Sequence, residues 1–298
     1  MRSYNLNIAG YIIRFESISD GPELVPSERF LRNICHETDY DVLIRIHSGK
    51  INLPITAEKV FDAPYIEEVN GIMVKKSDKF WSVYKHQNDL FIKTSFPLSP
   101  GSKSGKLKFS LKTRQWDLWI EDAGKGTDPM EYPLDGLVLY YLTVIHGDIM
   151  IHASGVNNDG RGYIFSGVSG RGKTTMARLW DKHGARIIHD DRLILRNTGN
   201  GFNMYNTPVY QNDKPAESPL NRIFIIEHGN KNELNPVSGA SAVSMVISNC
   251  IQHNWDPEII AGLLGSVSVM CAKIPVAMLR FRPDESIIDH ILENEGGL

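Results

Sequence analysis

The chain has 298 residues, of which 42% are hydrophobic and 22% charged, with a formal net charge of −3 at pH 7. That balance excludes a disordered chain and any general electrostatic pull toward nucleic acid, and it supplies enough apolar material for one large or two medium domains. Cys35, Cys250 and Cys271 are too widely spaced for a disulfide framework or a zinc site, and no segment approaches the ~20 apolar residues of a membrane span.

The first residues, Met1 to Gly10, lack the apolar run of a signal peptide, so a cytoplasmic protein with no membrane partner is expected. Short runs rich in Ile, Val, Tyr, Phe and Trp follow, read as strands over Leu6–Phe15, Asp41–Ile46, Ile72–Lys76, Lys79–Tyr84, Leu90–Phe96, Lys106–Leu111 and Trp116–Ile120. They predict a β-meander or small sandwich, with Pro97–Gly105 as a flexible loop inside it. Ala123–Pro133, with two glycines and two prolines, is the expected boundary between a β-rich domain over residues 1–130 and a second domain over 131–298.

Beyond the boundary, Leu134–Ile145 reads as a buried helix and Ile149–Val156 as a strand. The Asn157-Asn-Asp-Gly160 turn folds that strand back on the next one as a hairpin. The second strand runs into Gly167-Val-Ser-Gly-Arg-Gly172-Lys173-Thr174, and a helix with Met176, Ala177, Leu179 and Trp180 on its apolar side comes next. Gly184 caps that helix. Ala185–Arg192 is then a strand ending in Asp190 and Asp191; Leu193–Arg196, Gly201–Tyr210 and Arg222–Glu227 are further short strands. Ala240–Ile251 and Pro257–Cys271 are expected helices, Val276–Arg280 a strand and Ser286–Asn294 a terminal helix.

The spacing Gly167-x-x-x-x-Gly172-Lys173-Thr174 is that of a phosphate-binding loop. Glycines keep side chains away so that successive N–H groups can meet phosphate oxygens, and the following helix adds its unsatisfied donors and positive dipole end. The expected nucleotide contacts are Gly167, Ser169, Gly170, Arg171, Gly172, Lys173, Thr174 and Thr175, with Lys173 on the β/γ-phosphates and the Thr174 hydroxyl on Mg²⁺. Asp190 and Asp191 lie 17 and 18 positions after Lys173, close enough for one helix and one strand to return them to the same sheet edge. One carboxylate is expected to hold Mg²⁺ with Thr174 and the other to take the acceptor proton; the sequence does not assign which. His152, brought near by the hairpin, is expected as a polar organiser of the site rather than a metal ligand.

Other residues are weaker candidates. His189 is expected to face the other side of the sheet, and Thr207 and Arg222 are alternative sources of transition-state contacts. Phe224–Gly229 with Asn230-Lys-Asn-Glu233 imitates a guanine-specificity box, and Asp181-Lys-His-Gly184 a switch motif. The latter lies only eight residues past Lys173, inside the helix, so a GTPase is excluded.

Met150-Ile-His152-Ala-Ser-Gly, the loop Ser166–Thr175 and the strand ending in Asp190-Asp191-Arg192 resemble the catalytic core of the HPr kinase/phosphorylase family, shared more distantly with ATP-dependent phosphoenolpyruvate carboxykinase. The resemblance covers roughly residues 134 to 290 and implies an α/β fold, α+β overall: a P-loop core of this type behind a β-rich N-terminal domain. It also implies that Lys173 and Thr174 bind phosphates and Mg²⁺, that Asp190 and Asp191 serve metal and acceptor, and that His152 is the active-site histidine. Where the family carries a Glu-Ile-Arg-Gly-Leu-Gly signature, this chain has Asn203-Met-Tyr-Asn-Thr-Pro-Val-Tyr210, which counts against phosphorylase activity and against HPr as substrate. Similar proteins phosphorylate a serine of a peptide precursor, and a homo-oligomer is implied by the family alone. The expected activity is ATP- and Mg²⁺-dependent transfer of the γ-phosphate to a hydroxyl, foremost a serine of a protein or peptide selected by the N-terminal domain. A kinase of free serine or a sugar, and a nucleotide-responsive binding module without catalysis, are the alternatives.

Overall fold

The computed structural model describes residues 1–69, 72–95, 104–121, 123–124 and 126–294. The chain is a mixed α/β protein with two large mixed sheets and few helices, and it divides into two compact units, Met1–Leu142 and Thr143–Leu298. Among the described residues no helix is long and apolar enough to cross a membrane.

In the first unit, β1 (Ser3–Ile8), β2 (Tyr11–Ser17), β3 (Ile34–Cys35), β4 (Val42–Ser48), β5 (Glu58–Val69), β6 (Ile72–His86), β7 (Asp89–Ser95), β8 (Ser104–Phe109) and β9 (Gln115–Ile120) form one sheet. Its order is β3-β1-β2-β4-β9-β8-β7-β6-β5, so the last five strands are the expected meander; β4 joins its neighbours in parallel. Strict alternation drives it: Leu6, Ile8, Ile13, Phe15, Ile44, Ile46, Leu107, Phe109, Trp116 and Leu118 are buried while the residues between them are not. The helix α1 (Leu134–His146) begins in this unit, where Tyr141 packs on Phe109 with ring centroids 4.6 Å apart.

Three expectations for this unit are corrected. Leu6–Phe15 is a hairpin, not one strand, because Ala9 and Gly10 take φ of 55° and 79° and make a two-residue turn. Ile72–Lys76 and Lys79–Tyr84 belong to the single strand β6, whose partner β5 is absent from the sequence reading. Of the expected loop Pro97–Gly105, residues 97–103 lie outside the described residues, as does Phe96, while Ser104 and Gly105 begin β8.

The second unit holds an eight-stranded sheet: β10 (Ile149–Asn158), β11 (Arg161–Ser166), β12 (Arg186–Asn197), β13 (Phe202–Asn206), β14 (Glu217–Pro219), β15 (Arg222–His228), β16 (Glu233–Val237) and β17 (Val276–Phe281). The order is β14-β13-β12-β10-β11-β15-β17-β16, with parallel pairs only at β11–β15 and β15–β17. Four helices serve it: α2 (Lys173–Lys182), α3 (Gly239–Ile247), α4 (Pro257–Lys273) and α5 (Ser286–Glu293). One buried cluster joins Ile149, Ile151, Ala153, Leu193 and Ile223 to Val246 of α3 and Met270 of α4. The other joins Val156, Phe165 and Phe224 to Met176 and Trp180 of α2 and Ile287 of α5. The sheet therefore has helices on both faces, and truncating Trp180, which is fully buried, would cost about 3–5 kcal/mol.

The helix α2 forms where its apolar stripe dictates, and Gly184 (φ 96°) ends it: the Gly184 and Ala185 N–H groups donate back to Asp181 O and Trp180 O, both at 3.0 Å. The expected hairpin is present, with Asp159 and Gly160 at positive φ between Asn158 and Arg161. The strand holding the Asp pair does not end there. It continues as β12 to Asn197 and absorbs Leu193–Arg196, because the residues after the carboxylates find β10 on one side and β13 on the other. The strand expected over Gly201–Tyr210 stops at Asn206, and the helix expected to Ile251 stops at Ile247.

Candidate functional site

The hairpin register builds the site. Ala153 of β10 pairs with Ser166, the last residue of β11, on one side and with Asp191 of β12 on the other. Two strand spacings, about 9–10 Å, therefore separate the start of the Gly167–Gly172 loop from the Asp pair, a gap that a lysine and an aspartate side chain can bridge together.

The loop leaves β11 and turns into α2 at Gly172, which sits at φ 94°, while Gly170 sits at 79°. A Cβ on Gly172 would lie 2.7 Å from Phe281 Cζ and 3.1 Å from His228 Cε1, so both conformation and space demand glycine there. Gly172 offers α2 no side-chain cap, and the first helical bond is Met176 N–H to Gly172 O at 2.9 Å. The N–H groups of Lys173, Thr174 and Thr175 thus have no partner within the helix, the arrangement that receives anions. Val168, Ser169, Gly170, Arg171 and Thr174 are exposed around these donors, with Thr175 half-buried. The ammonium of Lys173 donates to Gly167 O at 2.8 Å and Val168 O at 3.4 Å, folding the side chain over its own loop. Burial lowers the Lys173 pKa below the ordinary lysine value, and the nearby charges of Asp190 and Asp191 offset part of that shift.

The two carboxylates have different surroundings. Asp190 accepts a hydrogen bond from Ser154 Oγ, its partner in the β10–β12 ladder. Asp191 sits 3.3 Å from His152 Nδ1 through Oδ1 and 3.7 Å from Arg192 Nε through Oδ2. Burial pushes its carboxyl up, but the His152 hydrogen bond and the charges of Arg192, His152 and His189 outweigh burial and hold it below the usual aspartate value. His152 Nδ1 is also 2.9 Å from the Asp191 main-chain O, which can only accept, so Nδ1 carries the proton and Nε2 is left as the open nitrogen of a half-exposed ring. The His152 main-chain O accepts from Ser166 Oγ at 3.0 Å, tying β10 to the root of the loop.

Lys173, Asp190, Asp191 and His152 thus converge, and Ser169, Gly170, Arg171, Thr174 and Thr175 belong to the same loop and helix start as Lys173. The weaker candidates do not join them. His189 is buried, with Nδ1 accepting from Arg192 N–H and Nε2 donating to Asp213 Oδ2, both at 3.2 Å. Thr207 spends its hydroxyl on Arg192 O at 3.1 Å. Arg222 pairs with Tyr163 near the start of β11, at the end of the sheet away from the loop. Three residues outside the expected set do belong. Ser154 holds Asp190; His228 Nε2 donates to Gly170 O at 3.0 Å, bracing the loop from the end of β15; Tyr210 stacks on His189 at 5.8 Å. Burial first, then Asp191, Asp190 and Asp213, raises the Tyr210 phenol above its ordinary value. Ser154 meets Asp190 through the β10–β12 ladder, which the hairpin turn does not fix; His228 lay inside the rejected guanine-box mimic. A cavity of about 490 Å³ opens beside Asp190, between β12 and the segment Tyr210–Ala216.

Among the described residues no group of three or more His, Cys, Asp or Glu side chains could hold a metal. The donors present, two carboxylates and the exposed Thr174 hydroxyl, are hard oxygens, and Mg²⁺ characteristically takes one or two carboxylates together with substrate phosphates. That donor set fits Mg²⁺ shared with a phosphorylated substrate.

No family model matches the chain, and no curated protein matches it. Among solved structures it is similar to the HPr(Ser) kinase/phosphatase from Coxiella burnetii, at 13% identity over 49% of this chain and 95% of that one, with a TM-score of 0.30. So distant a likeness carries no argument about activity, which rests on the residues of this chain.

Proposed function

We propose that the protein is a phosphotransferase that moves the γ-phosphate of ATP to a hydroxyl, foremost a serine of a protein or peptide. The observation that supports this reading is that Lys173, at the uncapped start of α2, lies within electrostatic reach of both Asp190 and Asp191. Phosphoryl transfer needs little covalent chemistry from a protein; it needs phosphate donors, a neutralising cation, a metal ligand and a proton acceptor. The loop amides and the first N–H groups of α2 would bind the phosphates. Lys173 would exchange its carbonyl partners, Gly167 O and Val168 O, for phosphate oxygens.

Asp191 and Thr174 would hold Mg²⁺, which supplies charge neutralisation on the β- and γ-phosphates. Asp191 suits this task because its neighbours keep it anionic. Asp190 faces the cavity and would take the acceptor proton, with Ser154 fixing its orientation. His152 would hold Asp191 in place and turn its open Nε2 toward the reacting groups.

Incubation with γ-labelled ATP, Mg²⁺ and a mixture of serine peptides tests the reading. Label should pass to peptide with the unaltered protein and fall at least a hundredfold in Lys173→Ala. Asp191→Asn should raise the Mg²⁺ concentration needed for half-maximal rate, and Asp190→Asn should lose transfer while still binding Mg²⁺-ATP. Comparable transfer by Lys173→Ala, or ATP bound without ADP release in every mixture, overturns the proposal.

A further inference from the structure

The cavity beside Asp190 runs along the edge of a strand rather than across a face. Five consecutive residues of β12, Arg186 to Asp190, line it. The strand is bulged in this stretch, where Ile188 has no partner on β10; elsewhere side chains alternate between faces, so a space that meets residues on both sides of the bulge lies alongside the backbone. The register explains why that side is open. The β13 ladder on β12 begins only at Leu193↔Asn206, whereas β10 accompanies β12 on the other side from Arg186 onward.

The opposite wall is a tied loop. Asp213 Oδ2 accepts from Val209 N–H at 2.8 Å, Tyr210 N–H at 2.7 Å and His189 Nε2 at 3.2 Å. Asn206 closes the base, donating through Nδ2 to Lys214 O at 3.0 Å and accepting the Ala216 N–H at 2.8 Å. These bonds hold Tyr210 over His189 with the residue 55% exposed, an aromatic surface at the Asp190 end. Arg186, at the far end of the strand segment, and Lys214, on the loop, are both exposed cations, and Asp213 is already committed to its three donors.

We infer that this cavity is the acceptor subsite and that its occupant is an extended peptide added to the free edge of β12, with its serine at Asp190 and an acidic residue opposite Arg186 and Lys214. Main-chain pairing along a strand edge gives affinity without sequence, and charge and aromatic contacts supply the choice. From Arg186 to Asp190 is about 13 Å of strand at 3.3 Å per residue, so the acidic residue stands three or four positions from the serine. This inference rests on the transferase reading, since the serine is placed by its need to meet Asp190.

Binding and transfer are measured separately to keep the two claims apart. An array of immobilised peptides, each with one serine in an alanine-glycine background and Glu, Gln or Lys three or four residues to either side, is probed with the protein. Binding is read with Mg²⁺ and a non-hydrolysable ATP analogue, and label transfer with γ-labelled ATP. Glu peptides should bind at least tenfold better than Lys peptides, and Lys214→Glu should reverse that order; Arg186→Glu should do the same and serves as an independent variant. Tyr210→Ala should weaken all peptides alike. Peptides that bind with this charge rule but receive no label support the subsite and remove the transferase reading. Label that passes without any charge preference, an order that neither reversal changes, or no peptide binding at all overturns the subsite.

Discussion

Gly172→Ala probes the Gly167–Gly172 loop at its tightest point. An alanine at φ 94° bears a backbone cost of about 1–2 kcal/mol. Its Cβ would also stand 2.7 Å from Phe281 Cζ and 3.1 Å from His228 Cε1, and Phe281 is fully buried, so neither the ring nor the loop yields without loss. Overpacking of this kind adds about 1–3 kcal/mol, for a total of about 2–5 kcal/mol. Gly170→Ala is the matched control. Its φ of 79° carries the same backbone cost, but a Cβ there meets nothing within 4 Å. In urea unfolding, Gly172→Ala should therefore be less stable than Gly170→Ala by the packing part alone, about 1–3 kcal/mol. Phe281→Leu should make room for the added methyl group, so the double variant with Gly172→Ala should lose less than the sum of the two single losses. If folding tolerates the methyl group by moving the loop, the loss should appear instead as weaker binding of a fluorescent ATP analogue. Equal stability and equal nucleotide affinity for the two glycine variants would refute this account of the loop.

Other outcomes follow from the charges. Burial lowers His253 to a pKa of about 3 against an ordinary 6.5, so the unfolded chain binds the extra proton between those values. Stability should fall as pH drops through that window, at up to about 1.4 kcal/mol per pH unit, and His253→Leu should flatten the slope seen in unfolding titrations. Asp191 has a folded pKa below its ordinary 3.8, so its contribution is complete above that value and is lost as pH falls through the folded one. Asp191→Asn should accordingly lower Tm at pH 7, by an amount that shrinks as pH falls below 3.8. Ser154→Ala removes the donor that orients Asp190 and should slow transfer while leaving Mg²⁺-ATP binding unchanged; an unchanged rate would show that Ser154 does not position Asp190.

The parts legible in the sequence were those set by short-range rules. Glycine spacing marked the loop at Gly167–Gly172, the Asn157–Gly160 turn fixed the hairpin, and the stripe Met176–Ala177–Leu179–Trp180 marked the buried face of α2. The course of β12 was hidden because Asp190, Asp191 and Arg192 interrupt its apolar pattern where the strand serves the site rather than the core. The same holds for β6, in which Lys76, Ser77 and Asp78 read as a turn while a long ladder with β5 carries the strand through them. Short strands such as β14 and β16 each contain a proline and escape any run-length rule. The tied loop at Tyr210–Ala216 depends on Asn206 meeting Lys214 O and Ala216 N–H, eight and ten residues on, and on Asp213 reaching His189, 24 residues back, which no local pattern records.

The measurement that bears most directly on the transferase reading is a mass-spectrometric search for new phosphopeptides and phosphorylated metabolites after incubating the protein with Mg²⁺-ATP and cell extract, beside a Lys173→Ala control. A serine phosphopeptide that appears only with the unaltered protein is the expected result. The same products from Lys173→Ala, or ATP held with no phosphorylated product across extracts and the peptide array, would contradict it.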